Sequence, residues 1–138
     1  MRALPLIALV LLSQPALANP WELITGITYK ETETETSWSV EKTIPEELRA
    51  QAEEFTITGY YVPVEAQAQV TQFLLVPDPA DCPFCGTNGY GPTLEVQMSR
   101  PVPDMAEATE VTVTGTLNFD DSPETYRAVF LTEGALVN

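Results

Sequence analysis

From Phe55 onward the chain counts in twos, and this period limits its fold more than any other feature. Phe55, Ile57, Gly59 and Tyr61 alternate with Thr56, Thr58, Tyr60 and Val62. The period returns over residues 70–76, 94–98, 111–119 and 126–131. Successive residues of a strand point to opposite faces, so each run reads as a strand with at least one buried face. Breakers separate the runs: Pro63, Pro77-Asp78-Pro79, Pro101-Val102-Pro103 and Asp120-Asp121-Ser122-Pro123. Gly59, in mid-strand, marks a bulge or a sharp bend. After Pro103, Asp104 can cap a short helix through Met105, Ala106 and Ala108. Five short strands with a helical connection between the third and fourth predict a mainly β fold, a small five-stranded OB-like barrel. Closing the sheet also removes exposed edges; a small β-sandwich is the alternative.

Ahead of the strands the period changes. Ile44, Leu48, Ala52 and Phe55 form an apolar stripe at spacings of four, four and three, which predicts a short amphipathic helix. Thr43 and Glu46 have the spacing of a capping box, and Pro45 suits the first turn. Further upstream, Trp21, Leu23, Ile24 and Ile27 offer apolar surface for docking. Glu31, Glu33 and Glu35 then fall on one face of any strand formed there. That run reads as a cation-binding ribbon or, more simply, as a solvated edge strand or arm.

The N-terminus reads as an address. Arg2 precedes an apolar run from Ala3 to Leu12, and Ala16-Leu17-Ala18 has the small-x-small pattern of a leader cleavage site. The run is shorter than the ~20 residues needed to span a bilayer. The expected division is a signal peptide at 1–18, cleaved after Ala18, an extension at 19–43 and the β domain at 44–138. The expected location is the periplasm, with secretion as the alternative. No stable membrane insertion is expected.

Removing Arg2 with the leader leaves 5 Lys+Arg against 20 Asp+Glu, a formal charge of −15. A chain this acidic repels phosphate backbones and anionic lipid, so nucleic acid is not an expected partner. Cations, basic protein patches and neutral molecules are. The chain has no histidine, which removes Ser-His-Asp and Cys-His nucleophile systems and every His-based zinc site.

The one stretch with the look of a chemical site is Asp81-Cys82-Pro83-Phe84-Cys85-Gly86, which holds both cysteines. Three readings compete. A redox centre would need a helix starting at the motif to lower the thiol pKa; instead Gly86, Gly89, Gly91 and Pro92 follow, and Asp78 and Asp81 favour the protonated thiol. A metal site would pair Cys82 and Cys85 with oxygen from Asp81 or Asp78, or with a second molecule. Two thiolates suit a soft ion, four ligands a zinc-type ion, and no cofactor is required. A disulfide follows from two cysteines in an oxidising compartment. So small a loop would add at most ~2 kcal/mol and would pin the loop rather than the domain. Tyr60, Tyr61, Phe84 and Tyr90 are the aromatics available to line a ligand face at the barrel mouth, although strand aromatics also serve as core.

Residues 55–64 (FTITGYYVPV), 71–77 (TQFLLVP), the cysteine loop and 111–117 (VTVTGTL) resemble a bacterial exported family of unknown function. Its members read Gly-aromatic-x-x-Pro-Leu, then Phe-Leu-Leu-Val-Pro, a cysteine-containing loop and a Val-x-Gly-x-Leu strand. The resemblance runs from about Trp21 to the C-terminus, and its motifs are mainly structural. The family's loop often carries Cys, His and prolines; this chain has Cys82-Pro83-Phe84-Cys85 and no His, a departure that weakens any shared Cys/His ligand role. The resemblance implies association with export or metal-uptake systems. The expected function is therefore a periplasmic, non-enzymatic binding or accessory protein that serves an exported protein or a transporter component, with metal handling in view. The alternative is a thiol–disulfide oxidoreductase with Cys82 as the attacking thiol.

Overall fold

The computed structural model of the protein describes residues 18–80 and 92–137. Apart from Ala18, the expected leader lies outside the described residues. So do Asp81, Cys82, Phe84, Cys85 and Tyr90.

All five expected strands form. They are β3 (Phe55–Pro63), β4 (Gln69–Val76), β5 (Leu94–Pro103), β6 (Glu110–Phe119) and β7 (Val129–Leu136), and they close into a barrel in the order β3-β4-β5-β7-β6. Every pairing is antiparallel except β5 with β7. The two-residue period maps onto the barrel interior: Phe55, Ile57, Tyr61, Phe73, Leu75, Leu94, Val96, Val113, Leu117 and Leu131 are all buried. Each such side chain contributes on the order of 1.5–3 kcal/mol when fully buried. Outside, threonines face each other across β3 and β6, with Thr56 bonded to Thr114 and Thr58 to Thr112.

Two strands differ from expectation at their ends. β5 continues through Arg100 to Pro103 despite two prolines. Pro101 and Pro103 are two apart, so their missing N–H groups face the same edge. That edge points away from β4, whose pairs Val70–Val102 and Gln69–Pro103 persist. β7 begins at Val129 rather than near Tyr126 and runs on through Ala135, because Tyr126 is drawn into an aromatic contact outside the barrel.

The helix expected between the third and fourth strands is absent among the described residues. Residues 104–109 form turns, with Ala108 at φ 64°, a left-handed conformation that helices do not continue through. The segment is tied down instead: the Asp104 amide donates to Ala68 and the Ala108 amide to Tyr61, while the Tyr61 amide donates to Thr109.

At the opposite end of β3 lie the N-terminal elements. The 44–55 stripe folds as α2 (Glu46–Ala50) followed by a 3₁₀ turn at Ala52–Glu54. The capping box does not form; Pro45 is the N-cap and no side chain caps the helix. Even so, Ile44, Leu48 and Phe55 are buried as the spacing requires. A further helix, α1 (Pro20–Thr25), is capped by Asn19, whose side chain accepts from the Trp21 amide. Its Leu23 and Ile24 join the barrel's core, as does Ile27. Trp21 lies over Gly59 and donates its indole N–H to the Thr58 carbonyl at 2.7 Å. A Cβ on Gly59 would stand 2.9 Å from the Trp21 ring and from the Val76 carbonyl. The glycine is there for that close approach.

Residues 28–43 fold as a two-stranded antiparallel sheet, β1 (Thr28–Glu33) and β2 (Trp38–Thr43). Like charges at alternate positions oppose order, but the turn overcomes them locally. The Thr34 hydroxyl accepts from the Ser37 amide and meets the Ser37 hydroxyl at 2.6 Å, and the Thr34 amide donates to the Ser37 carbonyl. All six β1 residues are exposed, so the solvated-edge reading holds.

Candidate functional site

The hairpin is not a loose arm; one lysine fixes it to the barrel. Lys42 crosses from β2 to the β6–β7 connection, and its ammonium donates to the Asp120 carbonyl at 2.6 Å and to the Arg127 carbonyl at 2.5 Å. The Asp120 carboxylate stands 3.9 Å away, and the Lys42 side chain is 1 % exposed. A buried ammonium is tolerated only when its donors are used. Here they join the two ends of the 120–128 loop, and the Val40 amide adds a bond to Pro123 in its middle. Within the loop the Asp120 carboxylate accepts from the Ser122 amide. Arg49 of α2 reaches Asp121 at 3.3 Å and covers the Phe119 ring.

This anchoring presents an aromatic group to solvent. Tyr126 from the loop contacts Trp38 of β2, with ring centroids 5.2 Å apart, and Tyr29 of β1 at 6.0 Å. The interplanar angles of 54° and 59° are tilted contacts, in which a ring edge meets a neighbour's face. Tyr29 remains 45 % exposed and Tyr126 39 %. The Tyr29 hydroxyl nevertheless has a raised pKa, because the rings around it remove part of its water. Register places Glu31 opposite Val40 and Glu33 opposite Trp38. Both carboxylates therefore share the face of β1 that carries Tyr29. The result is a platform of three aromatic rings bordered by acid.

The residues singled out in the sequence separate. Tyr60 and Tyr61 are neighbours on one strand and face opposite ways. Tyr61 is fully buried against Phe73 and donates its hydroxyl to Asp104 at 2.6 Å. Burial first, and Asp104 second, push its pKa up to about 12. It closes the barrel end as a core residue. Tyr60 faces outward, and its pKa is raised chiefly by the hydroxyl's hydrogen bond to the Glu110 carboxylate, then by that carboxylate's charge, with a smaller effect from Asp78. Asp78 is exposed and accepts from the Ala80 amide, a local turn at the root of the cysteine loop. Asp81, Cys82, Phe84, Cys85 and Tyr90 lie outside the described residues. Among the described residues no three carboxylates gather to hold a metal ion, and no helix is long and apolar enough to cross a membrane.

The platform itself was missed in sequence. Tyr126 lies 88 residues beyond Trp38 in the chain, and no period links it to Tyr29 and Trp38. Lys42 gave a faint signal, as one of only two lysines in an acidic chain. Among the described residues no buried side-chain nitrogen or oxygen lacks a partner. Every buried side-chain polar atom among the described residues is thus hydrogen-bonded within the chain.

Comparison with curated proteins and with solved structures returns no match. A family match covers residues 16–131, most of the chain including the hairpin and all but the end of the barrel, and the protein belongs to the family described as Protein of unknown function (DUF3299).

Proposed function

We propose that the protein is an exported, non-enzymatic binding or accessory module, built on an OB-like barrel, that engages an exported protein or a transporter component through its hairpin platform. The observation that carries this reading is the Tyr29–Trp38–Tyr126 group, with Tyr29 and Tyr126 exposed and Trp38 half-buried, held in place by a lysine whose side chain is almost wholly buried. Aromatic side chains give large contact areas at low entropic cost, and they concentrate at recognition sites. The leader-like N-terminus supports export. The acidic balance, 20 Asp+Glu against 6 Lys+Arg, supports a basic or neutral partner. Within this reading Cys82 and Cys85 form a disulfide that pins the 81–91 loop.

The test is crosslinking inside the producing cell, with a photoreactive amino acid placed at Tyr126 or, as a control, at Thr56, exposed on the outer face of β3. A discrete adduct from Tyr126 and none from Thr56 is the expected result. No adduct from either position would sink the reading. Insulin reduction by the purified protein, lost in Cys82→Ala, would replace it with the oxidoreductase. Stoichiometric zinc or copper by elemental analysis, lost on the same substitution, would assign the loop to metal handling.

A further inference from the structure

The hairpin has one edge that nothing among the described residues covers, and its hydrogen bonding can be assigned. At the turn the Thr34 amide donates to the Ser37 carbonyl, so Thr34 and Ser37 are a hydrogen-bonded pair. In an antiparallel ladder such pairs alternate with non-bonded ones. The register Glu33–Trp38, Thr32–Ser39, Glu31–Val40, Lys30–Glu41, Tyr29–Lys42 then makes Tyr29, Glu31 and Glu33 the residues whose N–H and C=O point away from β2. The Val40 amide confirms the phase from the other side, since it turns away from β1 to reach Pro123. The outer edge of β1 therefore offers three amide donors and three carbonyl acceptors in a row. The side chains of those same three residues lie on the platform face.

We propose that this edge accepts a basic, extended polypeptide segment as an added strand. A strand laid along β1 places alternate side chains opposite Glu33, Glu31 and Tyr29, so the pattern read is basic, any, basic, any, apolar. The added backbone supplies affinity and the alternate side chains supply selectivity. Charge selects the occupant. A second copy of this chain would bring Glu31 and Glu33 against their own kind, and like charges directly opposite each other destabilise a pair. The cations nearby do not neutralise the edge: Lys30 projects from the other face of β1, and Lys42 is committed to the 120–128 loop. Carboxylates on an edge exclude unwanted strands, and the strand they do not exclude is a basic one.

This inference rests on the binding-module reading, and it is tested with an acetylated, amidated Thr-Lys-Thr-Lys-Thr-Val-Thr peptide and the full chain after leader removal. Amide exchange by NMR should slow by about tenfold or more at Tyr29, Glu31 and Glu33 when the peptide is bound, with Lys30 and Thr32 unchanged because β2 already holds them. A control peptide N-methylated at its two lysines and its valine keeps every side chain but loses the N–H groups that face β1, and should not protect the edge. Glu31→Pro removes an outward N–H and one carboxylate but no bond to β2, so the hairpin should survive while binding is lost; Glu31→Lys with Glu33→Lys should abolish binding with an unchanged barrel spectrum. Equal binding of the N-methylated peptide, or binding that survives charge reversal, overturns the proposal. If the peptide fails while Tyr126 still crosslinks a partner in cells, the edge is refuted and the module reading stands. If both fail, both fall.

Discussion

Replacing Lys42 by methionine tests whether the platform depends on a single buried ammonium. Methionine keeps most of the aliphatic stem, so the change isolates the charge and its two hydrogen bonds. A hydrogen bond from a charged donor contributes about 1.5–3 kcal/mol, so the two to Asp120 and Arg127 carry about 3–6 kcal/mol gross. Two effects reduce this: the ammonium no longer has to be desolvated, and the freed carbonyls partly regain water at a loop edge. We therefore expect a net loss of about 2–4 kcal/mol in the docking of the hairpin. Hydrogen exchange at Val40, whose amide bonds Pro123, reports that docking directly. Its exchange should accelerate by roughly 30- to 1000-fold, since each 1.4 kcal/mol is a factor of ten. Amides inside the barrel, such as those of Val96 and Leu131, should change far less. Asp120→Asn is the control. Its carboxylate sits 3.9 Å from the ammonium while the backbone carbonyls sit much closer, so it should cost under about 1 kcal/mol. A Lys42→Met protein whose Val40 exchange rises less than about threefold would refute the assignment of the anchor.

Other consequences are separately measurable. Tyr61 should be the last tyrosine to ionise. Its pKa in the folded protein is raised to about 12 from 10.0, so the stability it confers is complete below pH 10 and is lost as pH rises through about 12. In an ultraviolet titration, Tyr61→Phe should delete the highest-pH step, and it should lower stability by about 1–2 kcal/mol. Gly59→Ala should drive a Cβ into the Trp21 ring and the Val76 carbonyl, costing about 1–3 kcal/mol and shifting tryptophan emission to the red as Trp21 leaves its seat; unchanged emission would contradict the close approach. On the proposed export and leader cleavage, the mature protein should begin at Asn19 and gain two mass units on reduction as the proposed Cys82–Cys85 disulfide opens, whereas a mass that does not move under reductant would exclude that bond.

What could be read from the sequence followed the range of the interactions involved. The five strands were legible because burial on one face of a sheet imposes a local period, as at Phe55, Ile57 and Tyr61. The burial of Ile44 and Leu48 was legible for the same reason, though not the break at Gln51 that ends α2 after five residues. Short-range polar signals did less well. Thr43 and Glu46 had the spacing of a capping box, yet Pro45 is the cap, and Asp104 spends its carboxylate on the Tyr61 hydroxyl rather than on a helix. The start of β7 was misplaced because Tyr126 obeys the alternation of its neighbours in sequence while its ring packs on Tyr29 and Trp38, nearly 100 residues away. The platform and its Lys42 anchor are made wholly of such distant contacts. The cysteine loop, prominent in the sequence, lies outside the described residues, and its proposed disulfide rests on composition and compartment.

In the proposed function, recognition lies on the hairpin and the cysteine pair has a supporting role. The most direct test compares two variants in the in-cell crosslinking experiment, with the photoreactive residue at Tyr29 in both. Cys82→Ser with Cys85→Ser should leave the adduct at or near its original yield. Trp38→Ser with Tyr126→Ser should abolish it while the barrel remains folded. The opposite pattern, an adduct that survives loss of the aromatic rings and disappears with the cysteines, would contradict the account.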